Sequence, residues 1–231
     1  MKLELLDAYN IRARLSASIL LLAPIAITLF FLFEEVRSFA TSSIVLFVLL
    51  AFTNYVPTLQ RRINSKKASS VNYSAEMLSI KDSTFDAISK ERYYKKLASL
   101  DDQYGLFLTP SESEAFHVCC ESAVRYLRSR TRENNLVQEE NINFGFCRNL
   151  LANKPIGIII CLICSSFVGG YSICKYGALP EIPSLNYLAF TADLFIFFFW
   201  IFGINTNVSK LAAKRYAEAL IMAIDTIEPK Q

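Results

Sequence analysis

Asp193 is the only charged side chain in the run "SLNYLAFTADLFIFFFWIFGI", residues 184–204. Facing lipid at the middle of a bilayer, a carboxylate costs at least ~2.5–3.5 kcal/mol, so this one faces protein or water. Two kinds of chemistry follow. Ionised in a water-filled path, a ring of such carboxylates from several subunits favours cations. Protonated, Asp193 hydrogen-bonds a hydroxyl or carbonyl of a neighbouring helix, for which Ser165 and Ser166 are candidates. Asn186, Asp193, Trp200 and Asn207 recur at heptad spacing, with Ala189 between the first two. That polar stripe predicts the inward side of a helix rather than its lipid side.

Other reactive side chains point less sharply. Cys161-x-x-Cys164 has the spacing of a redox or metal pair, yet it lies in an apolar run without a partnering His or Cys pair. It is read as small packing residues. Cys119 and Cys120 are adjacent, and His117 is the sole histidine. No Gly-rich phosphate loop, paired-carboxylate motif or nucleophile elbow occurs, so neither an enzyme nor a cofactor nor a metal centre is expected. Arg125, Arg128 and Arg132 fall at i, i+3 and i+7, a spacing that places three guanidinium groups on one helix face. Such a face suits phosphates of a nucleotide, an oligonucleotide or lipid headgroups, or an anionic partner. The alternative is a solvated helix end, and Glu121 and Glu133 dilute the positive charge.

These residues need elements to hold them. Hydrophobic side chains make up 53% of the 231 residues, while charged ones still reach 19%. Mean hydropathy is +0.31. That mixture fits a membrane protein with a sizeable aqueous part. Leu15–Phe33, Ser38–Val56 and Ile156–Cys174 are 19 residues each and Leu185–Ile204 is 20. At 1.5 Å per residue each reaches about 28–30 Å, the hydrocarbon thickness of a bilayer. Lys2, Arg12 and Arg14 precede the first span, and Arg61, Arg62, Lys66 and Lys67 follow the second. Arg148 and Lys154 precede the third; Lys210, Lys214 and Arg215 follow the fourth. The short connections hold only Arg37 and Lys175 among basic residues, so both termini and the middle segment are predicted to be cytoplasmic. Pro24 interrupts the first span and Pro155 is expected in the first turn of the third. Ser165 and Gly169 are four apart, as are Ser166 and Gly170, a spacing that lets helix backbones approach closely.

The predicted organisation is a first transmembrane hairpin over 1–57 with a cytoplasmic N-terminus, then a cytoplasmic helical domain over 58–154. A second hairpin follows over 155–204, and 205–231 is an amphipathic tail helix. The fold class is therefore an all-α membrane protein with four transmembrane helices in two hairpins. In the middle segment Phe85, Ile88, Tyr93 and Leu97 mark one apolar helix face. Thr109 as N-cap, Pro110 and Glu112 mark the start of another helix, with Phe116, Cys119, Cys120, Ala123 and Leu127 as its apolar stripe. "GLFL" at 105–108 is a strand or a packed connection. Gly145, between Phe144 and Phe146, signals a tight bend or a close backbone contact. In the tail, Leu211, Tyr216, Leu220 and Ile224 form the apolar side of a helix that folds back on the middle segment.

The order of parts, together with "ENINFGFCRNLLANKPIG" entering the third span, resembles small four-span membrane proteins of bacterial antiviral defence operons. It is similar to the Hailong-type membrane effector and to the membrane subunit of Kiwa. The first of these families pairs its effector with a nucleotidyltransferase-like partner whose DNA oligomers keep it closed. The resemblance implies a homo-oligomeric pore or sensor of the inner (plasma) membrane that damages the infected cell's membrane potential. It implies, as partners, the lipid bilayer, further copies of the chain, and a soluble operon partner or a nucleotide or oligonucleotide ligand at the cytoplasmic domain. It assigns no functional residue. Four spans provide too little membrane mass for an inverted-repeat transporter in one chain, so a conduction path is expected between subunits. The competing expectation is a non-conducting, membrane-anchored sensor or scaffold that recruits a soluble partner.

Overall fold

Apolar runs of membrane length must satisfy their own backbone hydrogen bonds, which helices do. In a computed structural model that describes residues 9–38, 71–177 and 179–228, every regular element is helical. Helix α1 spans Asn10–Leu32 and opens with a π-wound turn over Asn10–Leu15. A short 3-10 turn, Glu34–Arg37, follows it. In the middle segment come α2 (Tyr73–Met77), α3 (Ala87–Leu100), a 3-10 stretch over Asp102–Leu108, and α4 (Glu114–Arg130). Helix α5 runs 42 residues from Asn135 to Tyr176. Helix α6 covers Ser184–Phe198 and continues as a π turn over Phe199–Gly203. Helix α7, Thr206–Met222, ends the chain with a 3-10 turn over Ala223–Thr226.

Among the described residues three helices are long and apolar enough to cross a membrane: α1, α5 and the α6 segment Ser184–Gly203. The protein is a membrane protein built from helices. Of the predicted span Ser38–Val56, residues 39–56 lie outside the described residues, as do Lys2, Arg61, Arg62, Lys66 and Lys67. The third span departs from expectation at its start. Pro155 does not open a helix but sits inside α5, where the carbonyl of Leu151 loses its α-helical donor. Nor does Gly145 bend the chain. It lies within α5, and a Cβ there would meet the Tyr9 hydroxyl at 2.6 Å, so glycine permits a close ring-to-backbone contact.

The described chain divides into two units. The membrane unit comprises the described residues up to 38 and 145–209. Within it α1 and α5 run parallel, because Asn149 donates to the Ala13 carbonyl and Asn153 to the Ala17 carbonyl further along both helices. Helix α6 runs against them: Ala17 clusters with Trp200, and Leu32 with Ala189. Large apolar side chains such as Ile163, Phe195 and Phe202 point outward from these helices, at 63%, 76% and 72% exposure. An outward-facing surface of this kind suits lipid.

The second unit, 71–144 with 210–228, encloses its own core. Tyr93, Leu97, Tyr104, Phe107, Phe116, Val124 and Leu127 are buried together with Leu220, Ile221 and Ile224 of the tail. Tyr94, Phe107 and Phe116 pack as three rings with centroids 5.4–6.0 Å apart. The carbonyls of the turn after α2 converge on side chains of this core. Tyr94 donates to Leu78 O at 2.7 Å, and Lys90 donates to Ser79 O at 2.6 Å and to Asp82 O. Burial lowers the Lys90 pKa and raises those of Tyr94 and Cys120, each to about 12.

Three local expectations change here. The α4 cap is Ser113, whose hydroxyl accepts from Phe116 N at 3.2 Å, and not Thr109. Thr109 N instead bonds Leu106 O and closes the 3-10 stretch that "GLFL" adopts. Glu112 pairs with Lys81 at 2.9 Å. Ile88 is 81% exposed because α3 starts at Ala87, capped by Asp86, and turns Lys90, Tyr93, Tyr94, Leu97 and Leu100 inward. Leu211 is likewise exposed, whereas Ala217, Leu220, Ile221 and Ile224 face the core.

Candidate functional site

The side chain of Asp193 is fully buried in the membrane unit. Thr28 of α1 donates its hydroxyl to Asp193 Oδ2 at 2.8 Å. Oδ1 has no hydrogen-bond partner among the described residues. Cys161 and Cys164, both buried on α5, stand beside this pair. The donor thus comes from the first span and not from Ser165 or Ser166 of the third. From Cys161 onward the buried positions of α5 are Cys161, Cys164, Val168 and Ser172, spaced by three or four residues as one helix face requires. Ser165 and Ser166 lie off that line, half-buried and exposed respectively.

Seven residues before Asp193, about two turns away, Asn186 is buried and donates to Ser172 Oγ of α5 at 2.8 Å. Ala189 between them is buried against Leu32 and Val168. Seven residues after Asp193, Trp200 is fully buried, and its Nε1 has no hydrogen-bond partner among the described residues. Its ring lies on Gly157 of α5, where a Cβ would stand 2.5 Å from the indole. Asn207 is exposed at the start of α7. Helix α6 is therefore tied through polar groups to α1 by Thr28 and to α5 by Ser172, with an aromatic wedge below. Interhelical hydrogen bonds in membranes contribute about 0.6 kcal/mol on average. These ties orient α6, while the bare oxygen of Asp193 remains the unexplained cost of the arrangement.

The small-residue pairs do not make this contact. A Cβ at Gly169 or Gly170 would meet nothing within 4 Å among the described residues. Three groups not singled out as site residues make interhelical bonds at the other end of the unit. Lys154, read as a basic residue preceding the third span, donates to the carbonyls of Ile201 at 2.8 Å and Ile204 at 2.6 Å. Asn149 and Asn153 bond α1 carbonyls as described above. The one sequence signal for them was polarity inside "RNLLANKPIG", where two buried asparagines are four apart.

In the second unit Arg125 and Arg128 are exposed on α4, and neither makes an ion pair among the described residues. Helix α4 ends at Arg130, so Arg132 lies beyond it in the turn before α5 and does not continue the helical face. His117 stands 3.8 Å from Glu121 on the exposed side of α4. Among the described residues no group of three or more His, Cys, Asp or Glu is placed to hold a metal ion. No family model, curated protein or solved structure matches the chain.

Proposed function

We propose that the protein is a homo-oligomeric, channel-like effector of the bacterial inner membrane, gated through its second unit, which forms the aqueous unit. In this reading both termini and that unit are cytoplasmic, and the protein acts in antiviral defence by disrupting the membrane potential. One observation carries the reading: a carboxylate with no exposed surface, one hydroxyl donor and one oxygen unbonded among the described residues, inside a unit of apolar helices. Isolated polar atoms of this kind are costly in a membrane and mark ion or proton paths. The Thr28 bond then describes a closed state, and opening exchanges it for water in a path between subunits. Exposed Arg125, Arg128 and Arg132 offer the aqueous unit a surface for an anionic ligand or soluble partner.

Ion flux from liposomes holding the purified protein tests this. Asp193→Asn keeps hydrogen bonding and removes the charge, so conductance or cation selectivity should change with assembly intact. A mutant that conducts like the parent sinks the path through Asp193. A second reading, a non-conducting sensor or scaffold that recruits a soluble partner, draws support from the same Thr28 bond, since a helix tie needs no pore. It predicts no flux at all and a partner retained by the aqueous unit, lost on charge reversal at the three arginines.

A further inference from the structure

Two of the three spanning helices are π-wound, and both π turns lie at the same end of the membrane unit: Asn10–Leu15 in α1 and Phe199–Gly203 in α6. A π turn bonds i to i+5, which puts about one more residue into the turn than α bonding and misaligns the carbonyls around it. Such carbonyls need donors from elsewhere, strongly so in apolar surroundings. One stretch of α5 meets both turns. Asn149 reaches Ala13 O at 2.9 Å inside the α1 turn, and Asn153 reaches Ala17 O just after it. Lys154 reaches Ile201 O inside the α6 turn and Ile204 O just after it. Gly157, one turn on, accommodates Trp200 of the same α6 turn.

We propose that the Asn149–Gly157 stretch of α5 is a latch that holds α1 and α6 in π register, and that withdrawal of Lys154 returns the α6 turn to α register. One residue less in the turn rotates the helix exit by about 100° relative to Asp193. Asp193 is anchored on Thr28, so the rotation falls below it: Trp200 leaves Gly157 and Ile204 turns with it. A torque on the chain beyond Ile204 acts on the Lys154 bonds first, which makes this turn the bistable element of the unit. If the chain conducts as proposed, the latch is the step between the helix exit and the carboxylate. The latch itself does not depend on that reading.

Trp200 is the only tryptophan, so its fluorescence reports the latch directly. The full chain is reconstituted in phosphatidylcholine vesicles containing acyl-brominated lipid, and Trp200 quenching and hydrogen exchange over residues 200–205 are measured. Lys154→Met should raise quenching about twofold as the indole leaves Gly157, and speed exchange about tenfold because a turn no longer held in one register opens more often as it passes between the two. Lys175→Met, at the other end of α5, should leave both at parental values. Unchanged quenching and exchange in Lys154→Met overturn the latch, and so does an equal change in Lys175→Met. Should Lys154→Met fail to fold, Gly157→Ala displaces the indole while leaving the lysine in place. Faster exchange over 200–205 then supports the latch, and parental exchange with a displaced ring overturns it.

Discussion

Thr28 supplies the single hydrogen bond to Asp193, and neither residue is reached by a compensating charge among the described residues. Thr28→Val keeps the shape of the side chain and removes the donor. It should lower stability in detergent by about 1–3 kcal/mol, the range for stranding a buried polar group, with Thr28→Ser close to the parent. Thermal unfolding measures it. In the second unit, burial raises Cys120 from 9.0 and Tyr94 from 10.0, each to about 12. The unfolded chain releases these protons first, so above pH 9 the folded state holds more protons and its stability falls as pH rises towards 12. Lys90 acts in the opposite sense. Its pKa is lowered mainly by burial, so its contribution improves with pH up to its ordinary value of 10.5. Burial also raises Cys119 and Tyr104, so four raised groups against the lowered Lys90 give a net alkaline loss. Cys120→Ala should flatten that slope in urea titrations between about pH 8 and pH 11.

Helix boundaries here are set by a few side-chain bonds. Ser113 begins α4 because its hydroxyl takes Phe116 N, while its own carbonyl accepts from His117 N at 3.1 Å. Ser113→Ala should therefore cost about 1 kcal/mol in urea unfolding, whereas Thr109→Ala should cost only a few tenths. Equal losses would return the cap to Thr109. Helix α5 shows the reverse case, an element that continues through signals usually read as stops. Gly145 and Pro155 both lie within its 42 residues. Gly145 serves the Tyr9 contact, and the turn around Pro155 carries Asn153, Lys154 and Gly157, each engaged with a neighbouring helix.

For the molecule as a whole, the parallel course of α1 and α5 and the opposed course of α6 place their ends on definite sides relative to each other. If basic residues keep to the cytoplasmic side, the start of α1 and the exit of α6 share that side. A single cysteine at Glu133, in a chain with its native cysteines replaced, should then resist impermeant maleimide added outside intact cells and react after permeabilisation. Labelling from outside would reverse the orientation.

Helical class and three spanning segments were legible in the chain itself. In an apolar run of bilayer length, only a helix satisfies the backbone hydrogen bonds within the segment itself. The apolar stripe from Phe116 to Leu127 was legible too, since a helix writes its buried face in a 3.6-residue period. What lies between elements was not. Thr28 and Asp193 are 165 residues apart, and local periodicity carries no information on which helices adjoin or in what register. The same gap hid the carbonyls under Lys154, because a π turn shows no residue pattern of its own and a lysine flanking a span reads as an orientation signal. Ile88 and Leu211 fail for a related reason: the helix start and its partner, decided by tertiary packing, choose which of several apolar residues turn inward. Local propensity names the helices, and only the packed structure assigns their neighbours, because a helix–helix contact is selected by two surfaces together rather than by either alone.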